Sequence, residues 1–173
     1  PAIDFYFDFS SPYSYIASEW IEAVAARHGR AVHWHAILLG ATFQAAELKS
    51  PVSHPLKREY SIRDFARSAK FAGVPMVMPT KFPIPTQNAA RVFWWLNDTV
   101  SPQAAVAWAH AGLRAYFTRE VDLSDPAALG AARRLTPQPV LDLGDRPQVH
   151  ERLDGFGRRH VERMDVRVDE PGD

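Results

Sequence analysis

The 173 residues include 46% hydrophobic and 12% aromatic side chains, which is enough for one globular domain and excludes a disordered chain. The 20 basic and 20 acidic residues give a formal net charge of zero, so no overall basic field favours nucleic acid or an anionic membrane as a partner. The sequence holds no cysteine, no signal-peptide pattern and no apolar run long enough to span a membrane, which excludes disulfide chemistry and favours a cytoplasmic protein.

The first predicted element is a strand over residues 2–9, where apolar and polar side chains alternate with the period of two that a strand requires. A helix is predicted over residues 12–28, because Pro12 suits a first helical turn and Gly29 suits the position just after a helix end. Ser11 therefore lies where the strand ends and the helix begins. A serine there can cap the helix, and the backbone N–H groups and helix dipole also favour a bound anion.

A second strand is predicted over residues 31–38 and completes a right-handed βαβ unit over residues 2–40. Residues 41–56 are predicted as a loop with one helical turn, since two prolines interrupt them. His33 and His35 share one face of the second strand, but no third ligand stands at a suitable spacing. We therefore expect no metal site there.

A helical block is predicted to follow this unit. Residues 57–72 carry apolar side chains among charges, as a helix with one exposed face does. Residues 73–86 hold four prolines, which favour an extended loop over a helix. Further helices are predicted at about 87–97, 102–117 and 126–135.

The run Asp8-Phe9-Ser10-Ser11-Pro12-Tyr13-Ser14-Tyr15 resembles the N-terminal motif of 2-hydroxychromene-2-carboxylate isomerases. These enzymes are close relatives of kappa-class glutathione transferases within the DsbA-like thioredoxin superfamily. The resemblance covers roughly residues 2–135. Its further matching segments are Leu39-Gly40, Lys57 to Tyr60, Arg63-Asp64, Gly73-Val74-Pro75, Phe82-Pro83 and Arg91.

The resemblance implies an α/β, thioredoxin-like fold in a single DsbA-like domain over residues 1–173, with residues 57–135 as a helical insertion. The second half of a thioredoxin unit needs two antiparallel strands, entered through a cis-proline, and a closing helix. Residues 137–173 show no such pattern, so we interpret them as a divergent C-terminal segment that leaves the unit incomplete. We predict that residues 155–173 do not form the complete hairpin and helix.

The function implied by the resemblance is glutathione-dependent isomerisation of 2-hydroxychromene-2-carboxylate to trans-o-hydroxybenzylidenepyruvate, a step in the breakdown of bicyclic aromatics. Ser11 would be the catalytic residue that holds the thiolate of the cofactor glutathione, and Lys57 would bind its glycine carboxylate. The partner would be a small bicyclic aromatic carboxylate, and a homodimer is also an option. Helix capping by Ser11 and simple solvation of Lys57 are the competing structural interpretations.

Three aromatic residues, Tyr60, Phe82 and Trp94, are candidates for lining the substrate pocket. Core packing is the competing interpretation, because aromatic side chains at helical spacing more often belong to the core.

Two other functions compete with the isomerase. A kappa-like glutathione transferase would keep the thioether that forms, and a non-catalytic thioredoxin-like remnant would have lost the glutathione site. A thiol–disulfide oxidoreductase is excluded, since Ser11 and Ser14 stand where a Cys-x-x-Cys motif would be and cannot cycle between redox states.

Overall fold

The structure is a computed structural model of the chain and describes residues 1–133. Within that range the elements follow in the order β1 (Ile3–Phe7), α1 (Pro12–Ser18), α2 (Ile21–Arg27), β2 (Val32–Ala36), α3 (Leu39–Ala45), a 3₁₀ turn (Pro51–Ser53), α4 (Pro55–Ala72), α5 (Gln87–Thr99), α6 (Pro102–Arg119) and α7 (Pro126–Arg133). No helix in this part of the chain combines the length and hydrophobicity that crossing a lipid bilayer requires.

The two strands form a parallel pair, in a register that runs from Ile3 opposite Val32 to Phe7 opposite Ala36. Parallel neighbours cannot be joined by a tight turn, and α1 and α2 supply the crossover between them. The predicted strand–helix–strand order is therefore confirmed. Both strands end close to the turns that precede α1 and α3, which brings those two turns together at one edge of the sheet.

The two faces of this sheet differ in character. On one face Phe5 meets Trp34 edge to face at 4.9 Å between ring centroids, and both rings are buried. On the other face Asp4 accepts a 2.8 Å contact from the His35 ring, which also stacks on Tyr6 at 4.7 Å. The apolar face joins the core, which places His35 on the polar face, where an aspartate and a tyrosine are its partners.

The prediction of a single helix over residues 12–28 is wrong in one respect, because the segment forms two helices, α1 and α2. The Ser18 hydroxyl donates to the Tyr15 carbonyl at 2.7 Å, and Trp20 takes φ −133°, outside the helical region. A serine hydroxyl that donates to a carbonyl of its own helix competes with the backbone hydrogen bonds that would extend the helix. The predicted end is confirmed, since Gly29 has φ +63° just beyond α2.

The segment 41–56, predicted as a loop with one helical turn, holds more structure than that. Helix α3 begins at Leu39, whose backbone N–H donates to the carboxylate of Asp8 at 2.7 Å. Asp8 thus satisfies a free N–H at the helix start from a position 31 residues earlier in the chain. Local sequence patterns do not reveal a contact of this kind, which explains the shorter prediction.

The helices predicted at 57–72, 87–97 and 102–117 are confirmed with ends within two residues, as α4, α5 and α6. The extended loop between α4 and α5 is also confirmed. Helix α6 lies at the centre of the packing, and its fully buried side chains include Trp108 and Phe117. The predictions for residues 137–173 lie outside the described residues and stay predictions.

Candidate functional site

A cavity of about 970 Å³ opens where five segments meet: the turn after β1, helix α3, the 3₁₀ turn, the first turns of α4 and the loop before α5. Four of the five residues proposed from the sequence line this cavity, namely Ser11, Lys57, Tyr60 and Phe82. They come from three different segments, so only the tertiary fold brings them together.

Ser11 caps the helix that follows it. Its backbone is extended, with φ −94° and ψ 116°, and its Oγ accepts a 3.2 Å hydrogen bond from the Ser14 N–H. Because the oxygen acts there as an acceptor, the hydroxyl proton is still available, and the described residues give it no acceptor. Capping and donation to a ligand are therefore compatible in Ser11. Helix α1 has only seven residues, so the hydroxyl matters more here than the helix dipole.

Ser10 also lines the cavity, but its hydroxyl is engaged with the protein. Its Oγ accepts the Ile84 N–H at 3.1 Å and lies within hydrogen-bonding reach of the Tyr116 hydroxyl. Burial raises the pKa of Tyr116 to about 12, so that phenol is neutral at ordinary pH. Ser10 therefore fastens the loop before α5 to the turn after β1.

Asp8 is buried at the bottom of this turn, with 5% of its surface exposed. Its carboxylate accepts hydrogen bonds from Ser10 N–H, Leu39 N–H and the Thr86 hydroxyl, at 2.7, 2.7 and 3.1 Å. Burial raises the pKa of the carboxyl group and outweighs these hydrogen bonds, which lower it. In the sequence, Asp8 is recognisable only as the first residue of the motif that continues to Tyr15. An acid at the end of an apolar strand was the signal for its role.

Lys57 lies exposed in the first turn of α4 and lines the cavity. That first turn carries no acidic residue, and the helix has no side-chain cap at His54. A cation at a helix N-terminus is unfavourable to the helix itself, because the N-terminal end already carries partial positive charge. An anion bound at this place would be stabilised both by the ammonium group and by the helix end.

The aromatic candidates separate into two groups. Phe82 is partly buried against Phe65 at 6.1 Å, and Tyr60 is 64% exposed at the cavity rim with the Arg67 guanidinium over its ring. Trp94 does not line the cavity. Its indole N–H donates to the Ala36 carbonyl at 2.9 Å, so α5 directs this side chain towards the end of β2.

Several cavity residues were not proposed from the sequence. The apolar ones include Phe43, Val52, Phe65 and Ile84, which lie on four separate segments. Tyr13 belongs to the rim as well, and its hydroxyl donates to Asp64. Burial, followed by that hydrogen bond, raises the pKa of Tyr13 to about 12. No sequence pattern identifies such residues, because each contributes a single side chain from a distant part of the chain.

Comparison with family models finds one that matches residues 2–136, described as a DSBA-like thioredoxin domain. The match therefore spans most of the chain and includes every segment that lines the cavity.

Curated relatives match a shorter stretch. Glutathione S-transferase kappa 1 of Caenorhabditis elegans is 35% identical over 83 residues, which are 47% of this chain and 37% of that protein. A 2-hydroxychromene-2-carboxylate isomerase of Pseudomonas putida is 34% identical over 82 residues, which are 46% of this chain and 40% of that enzyme. The matches thus span only about two fifths of the length of these relatives.

A solved structure entitled 2-hydroxychromene-2-carboxylate isomerase superposes with a TM-score of 0.64 at 22% identity, covering 94% of this chain and 80% of that one. At this identity the likeness concerns the fold. Together with the family model it confirms the predicted thioredoxin-like α/β class and the resemblance on which that prediction rested.

Proposed function

The chain belongs to the family of DSBA-like thioredoxin domains, and on that basis we propose that it is a glutathione-dependent isomerase acting on 2-hydroxychromene-2-carboxylate. The product would be trans-o-hydroxybenzylidenepyruvate. The observation that carries the proposal is the cavity itself, which Ser11, Lys57 and several apolar residues line together. Such a combination of a few polar groups with an apolar lining suits a ligand that has both anionic and aromatic parts.

Ser11 would hold the sulfur of glutathione. Its hydroxyl proton has no acceptor among the described residues, so it can donate to a thiolate while the oxygen continues to cap α1. A hydrogen bond to the charged form favours that form and lowers the pKa of the thiol. When bound, glutathione would supply a thiolate nucleophile for reversible addition to the enone of the ring-opened substrate, and Ser11 would hold its sulfur.

Lys57 would bind a carboxylate of glutathione. The side chain is exposed, and its position at the start of α4 adds the partial positive charge of the helix end. Lysine serves such a group as a point charge and needs no fixed planar geometry. The positive charge of Lys57, which is unfavourable to α4 itself, would thus serve ligand binding.

The apolar walls would hold the aromatic ring of the substrate. Phe82 and Phe65 pack against each other beside the cavity, and Ile84 lies nearby in the same loop. An aromatic ring buried there loses contact with water, which is favourable by about 25 cal/mol per Å² of apolar surface. Tyr60 would form the rim on the exposed side.

A kappa-like glutathione transferase is the second candidate function, and the similarity to the Caenorhabditis elegans transferase favours it. The same Ser11 and Lys57 would serve, but the thioether would persist in the product. The fate of glutathione separates the two reactions: an isomerase regenerates it, and a transferase consumes it in step with the substrate.

The test is a calorimetric titration of the chain with glutathione up to millimolar concentration, followed by an assay with 2-hydroxychromene-2-carboxylate. We expect glutathione binding to release or absorb heat. We expect the substrate to be converted only when glutathione is present, and the glutathione concentration to stay constant during the reaction. Falling glutathione would favour the transferase. No heat and no thermal shift would contradict both functions and favour a non-catalytic remnant.

A further inference from the structure

Asp8 links three walls of the cavity through one side chain. One carboxylate oxygen accepts from the Ser10 N–H and the Thr86 hydroxyl, and the other accepts from the Leu39 N–H. Ser10 belongs to the turn that carries Ser11, Leu39 begins α3, and Thr86 immediately precedes α5. All three donors line the cavity, as does Asp8 itself.

The main chain of Asp8 adds two contacts to the same turn. Its carbonyl accepts the Ser11 N–H at 3.0 Å, and its N–H donates to the Ser14 hydroxyl at 3.3 Å. Ser14 is in turn the residue whose N–H is capped by the Ser11 hydroxyl oxygen. The direction in which Ser11 points therefore depends on Asp8 through both its side chain and its backbone.

We propose that Asp8 is a positioning residue that holds the Ser11 turn, the start of α3 and the loop before α5 in one arrangement, and so gives the cavity its ligand-binding shape. Where the ligand is glutathione, this inference rests on the proposed function. The arrangement of the three walls does not depend on it.

The ionised form of Asp8 suits this role. A carboxylate only accepts hydrogen bonds, and all three of its side-chain partners donate. On protonation the carboxyl group becomes a donor at one oxygen and a weaker acceptor, so the hydrogen bonds that it accepts from the Ser10 and Leu39 N–H groups weaken. No cation pairs with Asp8 among residues 1–130, whose side chains the structure describes, and its burial therefore depends on these neutral donors for compensation.

Few charged groups surround this carboxylate. Tyr116 of α6 interacts with it electrostatically, but burial holds the pKa of that phenol at about 12, so it stays neutral in the relevant range. Lys57 of α4 is a cation on the same cavity. The groups that contact it from α3 and from the loop before α5, the Leu39 N–H and the Thr86 hydroxyl, are uncharged donors. A carboxyl titration that the amides of Ser10 and Leu39 both sense would thus belong to Asp8.

The test compares two variants with a matched control. Asp8→Asn keeps an oxygen for Ser10 and Thr86 but sets an amide donor against the Leu39 N–H. Thr86→Val removes one hydrogen bond to the carboxylate at nearly constant shape, and it keeps the proposal testable if Asp8→Asn does not fold. Ser18→Ala removes a hydroxyl that is equally buried, on α1 and away from the cavity.

The first readout is the amide resonances of Ser10 and Leu39 in NMR spectra recorded against pH. In the wild type we expect both to follow a single titration. This shared titration should disappear in Asp8→Asn, have its midpoint at higher pH in Thr86→Val and keep its wild-type midpoint in Ser18→Ala. Independent titrations of the two amides, or a shared titration that persists in Asp8→Asn, would overturn the proposal.

The second readout is the dissociation constant for glutathione. We expect it to rise about tenfold or more in Asp8→Asn, as for loss of a hydrogen bond to a charged group, and to stay unchanged in Ser18→Ala. A folded Asp8→Asn protein with wild-type affinity would overturn the positioning role. A wild type that shows the shared titration but binds no glutathione would overturn the proposed function and support the role of Asp8.

Discussion

At the scale of single residues, two neighbouring serines line the cavity, and their hydrogen bonds separate their roles. Each serine accepts one backbone N–H, Ser10 from Ile84 and Ser11 from Ser14. Ser10 also lies within hydrogen-bonding reach of the Tyr116 hydroxyl, whereas the described residues offer the Ser11 proton no acceptor. The second serine is therefore the better partner for a thiolate. The first one holds the loop that forms the opposite wall.

Ser11→Ala should raise the pKa of the bound glutathione thiol and slow the reaction about ten- to a hundredfold. One hydrogen bond to a charged group is worth roughly 1.5–3 kcal/mol. Loss of the cap should also lower the free energy of unfolding by about 1 kcal/mol. Both effects are measured by steady-state kinetics and by chemical denaturation of the same variant.

The matched control for this variant is Ser101→Ala, because Ser101 caps α6 through the same contact, a 3.1 Å bond from the Ala104 N–H. It should lose similar stability and keep full activity. If Ser11→Ala keeps full activity while Ser10→Ala loses it, the thiolate partner has been assigned to the wrong serine. If neither variant affects activity, capping is the whole role of Ser11.

Lys57→Met should weaken glutathione binding and reduce its dependence on salt, because a point charge facing the ligand is removed. The free energy of unfolding should not fall, since the lost cation stood at the unfavourable end of α4. Lys70→Met provides the control in the last turn of the same helix, where a cation is favourable. Equal glutathione affinity in the wild type and both variants would mean that Lys57 is only a solvated surface residue.

At the scale of elements, the sequence predicts the strands and helix starts that local patterns determine. It does not predict the element boundaries that depend on contacts between distant residues. Residues 2–9 and 31–38 alternate clearly, and Pro102 and Pro126 begin α6 and α7, so the sequence predicts these elements. The break at Trp20 and the length of α3 were not. The start of α3 depends on Asp8, a residue that only the tertiary fold brings to Leu39.

The contact between α6 and the turn after β1 leads to a prediction at this scale. A Cβ atom at Gly112 would lie 2.9 Å from Cε1 of Phe9, whose ring is fully buried beside Phe7 and Trp108. Gly112→Ala should therefore lower the free energy of unfolding, because overpacking costs about 1–3 kcal/mol and exceeds the helix-propensity gain of about 1 kcal/mol. Denaturation in urea measures the change.

Gly130→Ala is the control, since the added Cβ meets no heavy atom within 4 Å in α7. Here only the propensity gain should remain, and the protein should be as stable as the wild type or more so. Because Phe9 directly precedes Ser10, we expect Gly112→Ala to weaken glutathione binding as well. A Gly112→Ala protein that is more stable than the wild type would show that the packing around Phe9 yields easily.

At the scale of the whole molecule, the fold class and the family were predictable, and the assembled site was predictable only in part. The strand–turn–helix around Ser11 and the segment from Lys57 to Tyr60 are sequence features, and Ser11 and Lys57 both line the cavity. Trp94 was placed in the pocket because it is aromatic, but its helix directs it towards Ala36. The predicted shape of residues 155–173 and the homodimer stay predictions.

The central claim is that the cavity holds glutathione as a thiolate at Ser11, and the ultraviolet absorbance of the thiolate tests it most directly. A free cysteine thiol has a pKa of about 8.5 and is mostly protonated at pH 7. We predict that saturation with glutathione at pH 7 produces a thiolate signal in the wild type and in Ser101→Ala, and that Ser11→Ala loses most of it. Binding without a thiolate signal, or an undiminished signal in Ser11→Ala, would contradict the account.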